Sequence, residues 1–186
     1  MQDYNSKIQF PTNDDFANRI TFAEFVESKS SGNPMIHYTA EVVSPATVDI
    51  GGEQVNIAGV ETEQYLTVTT FDGNKEVDTE KTEANRKRIE KFYTDCGQDF
   101  STFDPQNPDI SWMKGKVILT AMGCNVEPQR KTPTPEQVAK KQPGDIMKNR
   151  ITGKDMVYYK PRIIEVFGLA PAGSVGASVG ATPKPF

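Results

Sequence analysis

The sequence predicts a mainly β fold with one main α-helix and long loop insertions, and three observations predict it. Residues 35–43 alternate, with Ile36, Tyr38, Ala40 and Val42 on one face and Met35, His37, Thr39 and Glu41 on the other. That is the period of a strand half buried on a core. Only residues 79–96 carry a convincing helical apolar period. The apolar fraction is a modest 36%, with 13 prolines and 14 glycines, which suits a compact β body with long loops and tails.

Taken in order, residues 1–17 read as an N-terminal arm, 18–169 as the β domain and 170–186 as a flexible Gly/Ala/Pro tail. Asn13-Asp14-Asp15 would cap a helical turn if the arm forms one. Strands at 20–27 and 35–43 flank Ser28-Lys29-Ser30-Ser31-Gly32-Asn33-Pro34, a hairpin loop longer than two residues. Gly51-Gly52 joins a short second hairpin, and residues 64–71 alternate as the next main strand. In the helix, Ile89, Phe92, Tyr93 and Cys96 recur at i, i+3, i+4 and i+7, and Gly97 stands where a C-cap glycine belongs. Acidic Asp78, Glu80 and Glu83 precede basic Arg86, Lys87, Arg88 and Lys91, the order the helix dipole favours. Residues 99–109, with two phenylalanines and two prolines, form an extended connection, and 117–122 is an apolar strand. A long excursion between Lys131 and Gly144 holds at most one helical turn, 136–141. The last strand is 156–166, where Pro161 argues for an edge or a bulge.

Several classes are set aside by composition. No apolar run approaches the roughly 18–20 residues that span a bilayer, and no charged-then-apolar leader is read, so a soluble protein is expected. Cys96 and Cys124 are too few for a disulfide framework and point to a reducing compartment. With His37 as the sole histidine they fall short of a structural zinc site, and no metal or cofactor is expected. There is no phosphate-binding Gly-Lys-Ser or Gly-Lys-Thr loop and no Gly-x-Ser-x-Gly elbow, so no enzyme is expected. The net charge of −4 is polarised: residues 114–162 hold 11 Lys and Arg against 4 Asp and Glu, and the remainder holds 10 against 21. Such a chain presents a basic face to a polyanion, unless the clustering is chance.

The order strand, turn, strand, strand, helix, Lys-Gly-Lys strand, loop, Thr-Gly-Lys turn, strand resembles the OB-fold single-stranded-DNA-binding proteins of tailed phages. The carrying residues are Ser28 through Met35 with Glu41-Val42-Val43, Met113-Lys114-Gly115-Lys116-Val117, and Ile151-Thr152-Gly153-Lys154. The resemblance implies an OB-fold-like five-stranded barrel with its helix between the third and fourth strands. It also implies a non-catalytic protein that coats and protects unwound strands in phage DNA replication or recombination. The location would be the cytoplasm of the infected host, with single-stranded DNA and replication or recombination proteins as partners. Pro185-Phe186 looks like the tip of bacterial single-strand binding proteins, but Lys184 stands where an acidic run would precede it. The rival reading is a virion structural β protein, a decoration or tail component.

Binding a single strand without sequence choice needs a basic groove and flat rings, each stacked base contributing about 1–3 kcal/mol. Tyr158, Lys160 and Arg162 share one face of the last strand, opposite Val157, Tyr159 and Ile163, and Lys154 lies in the preceding turn. The alternative is a tyrosine capping a barrel edge beside solvated cations. Trp112 lies next to Lys114 and Lys116. Phe22 and Phe25 fall on opposite faces of the first strand, with Phe25 favoured for the outside, and Tyr65 is either a second platform or core. Lys29 in the hairpin turn is placed to meet a phosphate, or nothing. Met35 and His37 lie where OB folds take ligands. Arg130, Lys131, Lys148 and Arg150 on the excursion would close over a strand like a lid, or stay a solvated loop.

Overall fold

The computed structural model describes residues 7–10, 16–50, 52–151 and 153–171. Its strands are β1 (Lys7–Gln9), β2 (Phe16–Glu27), β3 (Pro34–Ser44), β4 (Thr47–Ile50), β5 (Glu53–Asn56), β6 (Glu61–Thr67), β7 (Val117–Pro128) and β8 (Val157–Leu169). The helices are α1 (Thr79–Asp95) and the short α2 (Pro135–Ala139). The fold is mainly β with one main helix, as the patterning predicts. The main sheet has the order β1-β7-β2-β3-β6, with β8 paired to β7, and β4-β5 forms a separate hairpin. Among the described residues β6 pairs only with β3 and β8 only with β7, so the sheet is open and the predicted closed five-stranded barrel is not formed.

The chain divides into two compact units. One combines Met1–Gln9 with Gly123–Arg162; the other combines Phe10–Met122 with Ile163–Phe186. We call them the basic unit and the sheet unit, because residues 123–162 carry nine Lys and Arg against four Asp and Glu, whereas 16–122 carry ten against seventeen.

In the sheet unit, β3 buries Ile36, Tyr38, Ala40 and Val42, the face its alternation assigns. Helix α1 starts at Asp78, whose side chain accepts from the Lys81 N–H at 3.0 Å, and closes at Gly97 with φ +68°. Its Ile89, Phe92 and Tyr93, with Cys96 at the cap, are buried, and Phe92 stacks on Tyr38 at 5.6 Å. The apolar stripe is therefore what fixes the helix on the sheet. Strand β2 begins at Phe16 because its first residues pair with β7, Phe16 opposite Thr120. Buried Asn18 ties the same strands by donating from Nδ2 to Thr120 Oγ1 at 2.7 Å. Strand β6 is shorter at its end than predicted: Thr70 leaves the sheet to bond Thr82 and Asn85 of α1. The connection after α1 holds one 3-10 turn, Phe100–Thr102, rather than being extended throughout.

In the basic unit, β1 pairs with Gly123–Asn125 of β7, so part of the segment read as an arm is a strand. The proposed cap at Asn13–Asp15 and the tail from residue 172 lie outside the described residues. The excursion is held by main-chain bonds: Gln129 to Met156 at 2.9 Å, Met147 to Gln129 at 2.8 Å, Lys131 to Asp145 at 2.8 Å and Asn149 to Lys154 at 2.8 Å. A capping box between Thr134 and Gln137 starts α2. Gly144 approaches the Lys131 carbonyl so closely that a Cβ there would lie 1.9 Å from its oxygen. Only glycine fits this crossing.

Candidate nucleic-acid interface

On β8 of the basic unit, Tyr158 and Lys160 are exposed while Val157 and Tyr159 are half-buried. Tyr158 is 41% exposed, and its hydroxyl donates to the Glu127 carboxylate of β7. That bond is the main reason its phenol titrates above the usual value. The ring is thus anchored at its tip and lies on the surface. Arg162 shares the face by parity but is half-buried, with its Nε lacking a hydrogen-bond partner among the described residues. Pro161 sits on a strand whose only strand partner among the described residues is β7, which suits its missing N–H.

The other cations of this unit divide by how far they are committed. Lys131 and Arg150 are exposed and make no ion pair among the described residues. Lys154 is exposed at the turn before β8. Lys148 pairs with Asp155 at 3.0 Å, and Arg130 donates to the Gly144 carbonyl at 3.0 Å. These two contacts brace the excursion, which its main-chain bonds order as a ladder.

The expected site residues of the sheet unit fare differently. Lys29, Lys114 and Lys116 are exposed in turns. Trp112 is corrected from a base platform to a packing residue. Its ring lies 5.8 Å from Phe92 and 5.4 Å from Tyr93, and its Nε1 donates to the Asp109 carbonyl at 3.1 Å. Tyr93 continues the cluster to Phe100 and Phe103, and burial pushes its phenol up to about 12. Trp112, Lys114 and Lys116 also belong to a different unit from Tyr158, Lys160 and Arg162.

Phe25 is corrected as well. It pairs with Ile36 on the buried-face side of the sheet and is half-buried, whereas Phe22 is 43% exposed opposite Thr39. A register shift between Ile20 and Phe22 sets this parity. Met35 and His37 do lie on the outer face, but His37 is already engaged: Nδ1 is 3.0 Å from Glu24 Oε1 and the ring stacks on Tyr65 at 4.7 Å. Tyr65, for which core was the favoured reading and a platform the alternative, is instead 48% exposed and donates to Glu63 at 2.9 Å. The row Phe22–His37–Tyr65 across β2, β3 and β6 was not legible, since it depends on cross-strand register.

That outer face is acidic. Glu24, Glu41, Glu61 and Glu63 project among its rings, and Arg19, the one Lys or Arg in the three strands, is bound to Glu41 at 2.9 Å. Phosphates are repelled there, so this face of the sheet does not suit a nucleic-acid backbone.

Both cysteines are free and buried, and burial pushes the Cys96 thiol up to about 12. Among the described residues no group of three or more His, Cys, Asp and Glu is placed to hold a metal, and no helix is long and apolar enough to cross a membrane. No protein-family model, curated protein or solved structure matches the chain.

Proposed function

We propose that the chain is a non-catalytic single-stranded-DNA-binding protein that coats unwound strands in phage replication or recombination. The observation that carries this reading is the concentration of cations on residues 123–162, with Tyr158 and Lys160 adjacent on the exposed face of β8. A polyanion is drawn to the first feature, and a base plane to the anchored ring of the second. An OB-like descent is supported by the pairings β2-β3, β3-β6, β2-β7 and β7-β8 with a helix between β6 and β7. Those are the neighbour relations of a five-stranded OB barrel short of closure between its third and last strands.

Anisotropy of a labelled oligothymidylate, titrated with the protein at low and high salt and against duplex competitor, tests the proposal. Saturable binding that prefers the single strand and weakens steeply with salt is expected. A virion structural protein would give no saturable signal, and equal affinity for duplex would remove single-strand selectivity.

A further inference from the structure

We infer that the acidic aromatic face of β2, β3 and β6 docks the basic unit of a second copy of this chain, so that the protein associates head to tail. The face presents two open rings, Phe22 and Tyr65, at 43% and 48% exposure. Around them stand Glu61 and Glu63, both exposed, and Glu24, whose side chain is 43% exposed. Ring faces flanked by carboxylates attract guanidinium and ammonium groups and exclude phosphate. The cationic surface that this chain itself offers is residues 123–162, where Lys131, Arg150 and Lys160 are exposed without ion pairs among the described residues. The two surfaces are different patches, so each contact joins unlike surfaces of two copies. It is held by charge at the surface and is therefore weakened by salt. The inference rests on the face chemistry and the charge division, not on nucleic-acid binding.

Sedimentation velocity of the whole protein tests it. In about 10 mM salt the wild type should show species larger than a monomer that grow with concentration and collapse to monomer at about 1 M salt. Glu61→Gln with Glu63→Gln removes one surface, and Arg150→Gln with Lys160→Gln the other. Each double variant alone should be monomeric. Their equimolar mixture should give a heterodimer and nothing larger, because only one complementary pair of surfaces remains. Circular dichroism checks the fold of each, and Tyr65→Ser, an exposed position, should weaken assembly independently.

A wild type monomeric at low salt overturns the inference, as do charge variants that assemble like the wild type. A monomeric protein that still binds the oligonucleotide removes this inference alone. A protein that assembles without binding the oligonucleotide removes the proposed function alone. If Tyr65→Ser weakens oligonucleotide binding in a monomeric protein, the face belongs to the nucleic acid and self-docking falls.

Discussion

The sheet unit buries Tyr38, Ile20, Ile36, Ile89, Met113, Ile118 and Met122 to 2% exposure or less, whereas Cys124 and Val126 are the buried apolar side chains of residues 123–162. Each large side chain taken fully from water contributes about 1.5–3 kcal/mol, so hydrophobic stability is concentrated in the first. The second is held chiefly by main-chain bonds of about 0.5–1.5 kcal/mol each, which ask little of its side chains. A segment braced through its backbone can carry many cations, because few side chains are needed inside. Stability and the proposed binding chemistry are thus largely assigned to different residues.

That division is tested hardest in the core of the sheet unit. Phe92 is 5% exposed and touches Tyr38, Tyr93 and Trp112, so Phe92→Ala should cost about 3–5 kcal/mol in urea unfolding. Val138→Ala in α2, at 62% exposure, should stay within about 0.5 kcal/mol. Equal costs would erase the distinction.

Next in size is Tyr158→Ala, which should weaken oligonucleotide binding by about 1–3 kcal/mol if one base stacks there. Tyr158→Phe should retain most of the affinity, since it keeps the ring and loses only the bond to Glu127. An affinity unaffected by the alanine would leave the cations without their platform.

Much of the sheet unit was legible because its signals are local. The period at Ile89, Phe92, Tyr93 and Cys96, the alternation of β3 and the turn at Ser28–Pro34 each describe which face meets the core without reference to distant residues. Trp112 was misread because Lys114 and Lys116 are its sequence neighbours while its packing partners, Phe92 and Tyr93, belong to the helix. Phe22 and Phe25 exchanged roles because parity against β3 is set by a register shift that no residue type announces. In the basic unit Tyr158 and Lys160 followed from simple alternation, but the ladder ordering the excursion is main-chain and leaves little mark on composition.

Gly144→Ala probes that ladder. The substitution must push the Lys131 carbonyl away, so amide exchange should quicken across residues 129–156 while the Trp112 environment and the urea midpoint change little. Loss of both together would mean that the units do not open separately.

The gentlest test is alkaline titration. Burial raises Tyr93 from 10.0 to about 12 and Cys96 from 9.0 to about 12, and raises Tyr38 further. All three are neutral acids in the folded state with raised values, so their stabilisation is fully present below about pH 9 and is lost as pH climbs towards 12. Circular dichroism and tyrosinate absorbance should show the buried tyrosines ionising only as the fold opens. Ionisation of every tyrosine before unfolding would contradict their burial.

The proposed role of the basic strand is tested most directly by the salt dependence of single-strand binding in wild type and in Lys160→Ala with Arg162→Ala. Each phosphate contact on a single strand contributes a slope of about 0.7 in log affinity against log salt, so the double variant should bind more weakly with a slope shallower by about 1.4. An affinity and slope identical to wild type, in a variant that unfolds normally in urea, would contradict the assignment of nucleic acid to β8.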